Sequence, residues 1–102
     1  MTVEVVLSPK AWEDLEALIE YLESRSPDVA ARYAKEIPER LARLEEFPES
    51  GRLVPEFLPD GSRRWREILF EHLRFLYRNE PGRVTVVRIV DDRRLLRAQI
   101  PL

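Results

Sequence analysis

The residues of this chain best suited to chemistry are its arginines. Arg66, Arg74, Arg78 and Arg88 fall in three successive segments rich in β-formers, and Arg93 and Arg94 follow the last of them. A guanidinium stays charged and presents a planar fork of donors that fits carboxylates and phosphates. It can stabilise a phosphorane, but it is a poor general base. Such a set binds anions far better than it moves protons. The other constellations are thin. His72 is the only histidine and stands beside Glu71 in a two-residue turn, which reads as a solvated surface position. One histidine excludes a multi-histidine metal site, and the absence of cysteine excludes disulfides and thiolate ligands. Asp91-Asp92 are paired carboxylates, but they sit among Arg88, Arg93 and Arg94, so local charge compensation accounts for them. No Gly-rich phosphate loop is present. No metal and no cofactor are expected.

The 102 residues suit one compact domain, taken as residues 1–102. No apolar run approaches the ~20 residues that span a bilayer, and the opening Met1 to Leu7, with its acid at Glu4, lacks the basic start and apolar stretch of a signal peptide. A cytoplasmic protein is expected. The formal net charge of −2 hides an asymmetry: residues 1–50 carry 6 Lys+Arg against 12 Asp+Glu, and residues 51–102 carry 11 Arg, no Lys, and 7 Asp+Glu. That bias reflects either ordinary solvated strands or a surface built for an acidic partner or a nucleic acid.

The elements that must position these arginines follow from period and punctuation. Thr2 to Leu7 reads as a valine-rich strand. Ser8-Pro9 and Ser26-Pro27 each pair an N-cap residue with a proline at the first helical position, so two helices begin there, joined by a very short link. The first carries Trp12, Leu15, Ile19 and Leu22 at helical spacing, with Leu18 widening the stripe. The second carries Ala30, Tyr33, Ile37, Leu41 and Leu44, with a kink expected at Pro38. A Pro- and Gly-rich loop follows through Pro55, Pro59 and Gly61. The period then changes to that of strands at Trp65–Phe70, Leu73–Arg78 and Val84–Val90. Glu71-His72 and Asn79-Glu80-Pro81-Gly82 are the turns, the second with a type II centre. The order β-α-α-β-β-β specifies an α+β fold: an antiparallel helical hairpin on one face of a curved antiparallel sheet. Trp12, Leu15, Ile19, Ile37, Leu41 and Leu44 should bury against Phe75 and Tyr77.

Strand alternation places Arg74, Leu76 and Arg78 on the face opposite Leu73, Phe75 and Tyr77. Arg88 can join them. If the apolar face meets the helices, the arginine face is open, a concave basic surface for a phosphate backbone or an acidic peptide. The alternative is pairing with Glu67, Glu71, Asp91 and Asp92.

These segments together resemble a known family. Leu7-Ser8-Pro9-Lys10-Ala11 with Asp14-Leu15 and Tyr21-Leu22 looks like the first helix of ParE-type toxins, in the ParE/RelE superfamily. Ser26-Pro27 with Ala30-Ala31-Arg32-Tyr33 resembles its second helix, and Leu44 to Gly51 its helix exit. Arg66-Glu67-Ile68, Leu73 to Arg78 and Val86 to Arg94 resemble its central hairpin and last strand. The resemblance implies the toxin of a type II toxin–antitoxin pair, bound by a small ParD-like antitoxin. RelE-like members cut mRNA on the ribosome, and ParE-like members poison DNA gyrase. Residue by residue, Arg74 matches the hairpin arginine and Arg93 the arginine after the last strand, the two that a nuclease would use. The lysines of the nuclease branch are absent near Trp65 and Glu67, and no tyrosine stands near Gln99. Asp91-Asp92 replace the histidine and small residue common in ParE-like sequences. The resemblance therefore implies a gyrase-inhibiting binding toxin. The alternatives are a ribosome-dependent endoribonuclease and a non-toxic antitoxin-binding corepressor. The anion-binding set would be Arg66, Arg74, Arg78, Arg88, Arg93 and Arg94.

Overall fold

A computed structural model describes residues 2–56 and 64–92. The expectations for Pro59, Gly61, Arg93, Arg94, Leu95, Leu96, Gln99 and Ile100 lie outside the described residues. Strand β1 (Glu4–Leu7) leads into helices α1 (Pro9–Arg25) and α2 (Pro27–Ala42), a 3₁₀ turn at Arg43–Glu45, and strands β2 (Arg52–Leu53), β3 (Trp65–Phe70), β4 (Leu73–Glu80) and β5 (Arg83–Asp91). The five strands form one sheet in the order β1-β5-β4-β3-β2. The α+β class and the helical hairpin are as expected. The sheet, however, is mixed: β1 runs parallel to β5, and the other three pairings are antiparallel. A parallel partner needs a crossover connection, and here the helical hairpin, with the strands that follow it, lies between β1 and β5 in sequence. The two-residue β2 was not anticipated; nothing in so short a run has a readable period.

The helix starts follow the Ser-Pro signals. The Ser8 hydroxyl accepts the Ala11 N–H at 3.1 Å and donates to the Val87 carbonyl at 3.0 Å, so one side chain caps α1 and ties it to β5. Ser26 alone separates the two helices, and its hydroxyl makes no capping bond. α2 continues through Pro38, which is exposed, as is Ala34, so the carbonyl freed by the proline can face water. Of the two turns between the long strands, the second has Gly82 at φ 77, the left-handed position that type II requires. The first has Glu71 at φ 55, the only non-glycine residue with positive φ among those described. That conformation is unfavourable for a side chain. Glu71 offsets it by accepting from Arg32 Nη2 at 3.1 Å and from the Tyr33 hydroxyl at 3.1 Å, which locks the hairpin tip to α2.

The main core joins Tyr33, Ile37, Leu41 and Leu44 to Phe70, Leu73, Phe75, Tyr77, Val84, Val86 and Ile89. Tyr33 meets Phe70 edge-on at 5.1 Å between ring centroids. Each fully buried Ile or Leu here contributes roughly 1.5–3 kcal/mol of burial. Ile37, Leu41 and Leu44 pack as expected against the face of Phe75 and Tyr77. Leu15 and Ile19 are only partly buried, and Trp12 is 51% exposed. The contact line on α1 runs instead through Ala11, which is fully buried, with Leu15, Leu18 and Leu22 beside it. Successive helical residues are separated by about 100°, so moving the stripe by one residue turns Trp12 outward. The small Ala11 side chain lets α1 approach β5 closely enough for the Ser8 bond.

Candidate functional site

Tyr77 and Arg74 leave β4 on opposite faces of the sheet, and both organise the segment that follows the helices. Tyr77 is fully buried, and its hydroxyl accepts the Gly51 N–H at 3.0 Å. Burial pushes its phenol above the usual tyrosine range. Arg66, directly across from Tyr77 on β3, donates to the Gly51 and Glu49 carbonyls at 2.8 and 3.3 Å. The chain is thereby steered past the sheet edge, and Gly51 to Glu56 forms a strap over the outer face. Val54, 1% exposed, buries there against Leu76 and Val90, flanked by Trp65 and Val87. The outer face is thus a second small core rather than an open surface.

Arg74 lies inside it at 5% exposure. Its Nε donates to Glu67 Oε1 at 2.6 Å, and its two terminal nitrogens donate to the two Glu56 oxygens at 2.5 and 2.7 Å. Arg52 Nε donates to the other Glu67 oxygen at 2.7 Å. The result is an alternating chain, Arg52–Glu67–Arg74–Glu56, with no net charge. The Arg74 hydrogen bond holds the Glu56 carboxyl below the usual range, and the Glu56 and Glu67 bonds outweigh desolvation to raise the Arg74 guanidinium. A guanidinium with both edges taken by carboxylates has no fork left for a phosphate. The expected open basic face is therefore corrected at Arg74, because the strap and two glutamates close over it.

Arg88 keeps the expected face but is engaged by α1. Leu76 pairs with Arg88 and Tyr77 with Val86, so Val87 is an extra residue on β5 and the register shifts there. Beyond the bulge Arg88 stands opposite Leu76, whose face it shares, and Ile89 stands opposite Phe75. Arg88 turns to α1, donating to Asp14 Oδ2 at 2.7 Å and Oδ1 at 3.2 Å. Asp14 Oδ2 also accepts the Ile89 N–H at 3.0 Å. β1 pairs with β5 only as far as Val86, so Asp14 and Ser8 cover the β5 edge that β1 leaves open.

Arg78, the third arginine of the expected trio, lies on the outer face and is partly exposed. It stands opposite Trp65 on β3 and Thr85 on β5. Its Nε lies 3.1 Å from Glu80 Oε1, an ion pair whose N–H is not aimed to make a hydrogen bond. Its guanidinium carbon is 5.6 Å from the Trp65 ring centroid, and that of the exposed Arg64 is 5.9 Å from the same ring. Of the expected six, then, Arg66 clamps a loop, Arg74 and Arg88 are ion-paired internally, Arg78 faces outward, and Arg93 and Arg94 lie outside the described residues. The Nδ1 of exposed His72 is 3.9 Å from Asp92. Among the described residues no three His, Asp or Glu side chains converge as a metal site would require.

The alternative of pairing with Glu67 is the one that holds at Arg74: the two-residue turn fixes Leu69 opposite Arg74 and puts Glu67 on the same face, one diagonal step away. Glu56 and Asp14 carried no such signal, since each reaches its arginine through tertiary packing.

A strand, a helical hairpin and an antiparallel hairpin sheet in this order is an arrangement that known proteins share. The family model described as the ParE toxin of the type II toxin–antitoxin system, parDE, matches residues 5–96. The chain belongs to the ParE toxin family. Among solved structures, one described as the chromosomal ParDE TA system from P. aeruginosa superposes with a TM-score of 0.70 at 18% identity, covering 88% of this chain and 96% of that one. At that identity the likeness establishes the fold shared by this ParE-family chain. No curated protein sequence matches it.

Proposed function

We propose that this ParE-family protein acts by inhibiting DNA gyrase and is silenced by a cognate ParD-like antitoxin. The observation that carries the reading is the state of Arg74. It is the residue a ribonuclease of this superfamily would aim at the scissile phosphate, and it is buried with its donors committed to Glu56 and Glu67. Cleavage by 2′-hydroxyl attack also needs a proton acceptor and a proton donor. Among the described residues the only histidine is exposed at a hairpin tip, and the buried Tyr77 phenol is engaged by Gly51. This favours a toxin that works by binding. The antitoxin would lay apolar anchors along the helical hairpin, where Trp12 and Tyr21 are exposed, and an acidic segment near Arg78. No helix among the described residues is long and apolar enough to cross a membrane, and a cytoplasmic target such as gyrase accords with that.

The test uses purified protein with gyrase, supercoiled plasmid and ATP, quenched with detergent and protease. Linear DNA that accumulates with toxin and disappears on adding the upstream-encoded antitoxin is the expected result. A parallel reaction on programmed ribosomes should leave mRNA intact. Ribosome-dependent cleavage lost on Arg74→Ala, in a variant that remains folded, would reverse the assignment.

A further inference from the structure

We infer that Phe47 and the cavity beside it form a self-association surface, which pairs two copies of this chain about a two-fold axis. Phe47 is 61% exposed, yet its loop is pinned. Its N–H donates to the Arg43 carbonyl at 3.0 Å, and its carbonyl accepts the Ser50 N–H at 3.0 Å. Farther along, the Gly51 N–H is bound to Tyr77, and Arg66 holds the Glu49 carbonyl at 3.3 Å. An aromatic ring fixed in water by a rigid loop gains by burial and loses little freedom on binding, which is the profile of an interface anchor. Beside it lies a cavity of about 220 Å³ lined by Arg40, Arg43, Leu44, Phe47, Ser50 and Ile68. An apolar cavity of about 150 Å³ already admits benzene, so a phenyl side chain fits. The patch runs on to the sheet edge. β2 covers β3 only at Arg66 and Glu67, and beyond them the edge has no strand beside it among the described residues. There the Leu69 carbonyl accepts from Arg40 Nη1 at 3.3 Å, and the Leu69 side chain is 44% exposed. Bare edges of this kind are normally paired or covered.

The charges select the occupant. Arg43 on the cavity rim, and the Glu46 and Glu49 carboxylates that flank Phe47, have no ion-pair partner among the described residues. A two-fold operation that seats each Phe47 in the other copy's cavity also brings Glu46 and Glu49 to Arg40 and Arg43, twice over. The surface thus carries both halves of its own complement, an acidic knob and a basic hole. An acidic peptide would satisfy the arginines and be repelled by the two glutamates, and a basic one would meet the reverse.

Self-association is independent of the gyrase reading and is measured on the free protein by sedimentation equilibrium. The patch is small, below the roughly 1,200 Å² of a standard interface, so a reversible monomer–dimer equilibrium with Kd on the order of tens of micromolar is expected. Phe47→Ala should raise that Kd at least about 30-fold, as loss of an anchor does. Arg43→Glu, and separately Glu46→Arg/Glu49→Arg, should each raise it at least about tenfold by placing like charges together. Mixing those two charge variants should restore a dimer, because each then offers the charge that the other lacks. That mixture keeps the test decisive if Phe47→Ala fails to fold. A protein still monomeric near about 1 mM would overturn the assignment to a second copy, even if Arg43→Glu weakened binding of the antitoxin. So would a dimer indifferent to both Phe47→Ala and Arg43→Glu, or folded charge variants that remain monomers when mixed.

Discussion

Replacing Arg74 with methionine separates a structural arginine from a working one. The side chain is 6% exposed and joins the fully buried Glu67 carboxylate to Glu56 on the strap. Methionine keeps most of the volume and removes the charge. Breaking a buried pair by deleting one partner costs about 3–5 kcal/mol, chiefly because the other charge is stranded. Here Arg52 still holds one Glu67 oxygen at 2.7 Å, and Glu56 is partly exposed, so the low end, about 3 kcal/mol, is expected. A domain of this size has roughly 5–15 kcal/mol in all. The loss should therefore shift the urea midpoint clearly and lower Tm by about 12 °C or more. The double variant Arg74→Met/Glu67→Leu removes both charges, at the expense only of contacts to the exposed Arg52 and the partly exposed Glu56. It should recover most of the loss, since apolar replacement of a buried pair is often neutral or better. Stability within about 0.5 kcal/mol of the parent for Arg74→Met, together with loss of toxicity, would show that Arg74 serves a target and would refute the account of the outer face.

How far the sequence could be read depended on how local each determinant is. Ser-Pro pairs, the Pro81-Gly82 turn and the strand periods are set by a few adjacent residues, and both helix starts and all three long strands appear where they point. Trp12 was misplaced because helical spacing fixes the existence of a stripe better than its centre. Leu15, Leu18 and Leu22 are compatible with either edge, and only the tie from Ser8 to Val87 selects Ala11 as the contact. Arg88 shares the face of Leu76 as expected, but its ion pair with Asp14 on α1 is tertiary and leaves no mark in the strand sequence. The outer face was read as open because its cover comes from a loop. Val54 has no period to announce it, and Glu56 finds Arg74 only after Gly51 has been threaded between Tyr77 and β3. The ion pairs thus follow from the strap's path, and that path follows from a glycine, a tyrosine hydroxyl and Arg66.

Three further outcomes test this picture. Gly51→Ala should destabilise by about 2–4 kcal/mol, from overpacking and a strained buried hydrogen bond. Its Cβ would lie 2.5 Å from the Glu67 carbonyl oxygen and 2.6 Å from the Tyr77 hydroxyl. A change in unfolding free energy below about 0.5 kcal/mol would mean the strap runs elsewhere. Glu56→Gln should lower stability at neutral pH and not in acid. The Glu56 carboxyl is held below its ordinary 4.5 by Arg74, so its stabilisation is present above 4.5 and is lost as pH falls through the folded value. Urea curves of parent and variant should converge below that window, and a gap that persists in strong acid would point to lost packing instead. Asp14→Ala probes the open edge of β5. The carboxylate holds Arg88 at 2.7 Å and the Ile89 N–H at 3.0 Å, with 14% of its side chain exposed. Removing it takes this ion pair from a largely buried guanidinium and the acceptor from an edge donor together, at about 3 kcal/mol after allowance for the residual solvent contact. Asp14→Asn keeps an acceptor for the N–H and should lose about half as much. Adding Arg88→Met to Asp14→Ala should recover the charge component and leave the edge component, about 1 kcal/mol. If the asparagine and alanine variants were equally unstable, Asp14 would act through Arg88 alone, and the edge would have to be closed by another part of the chain.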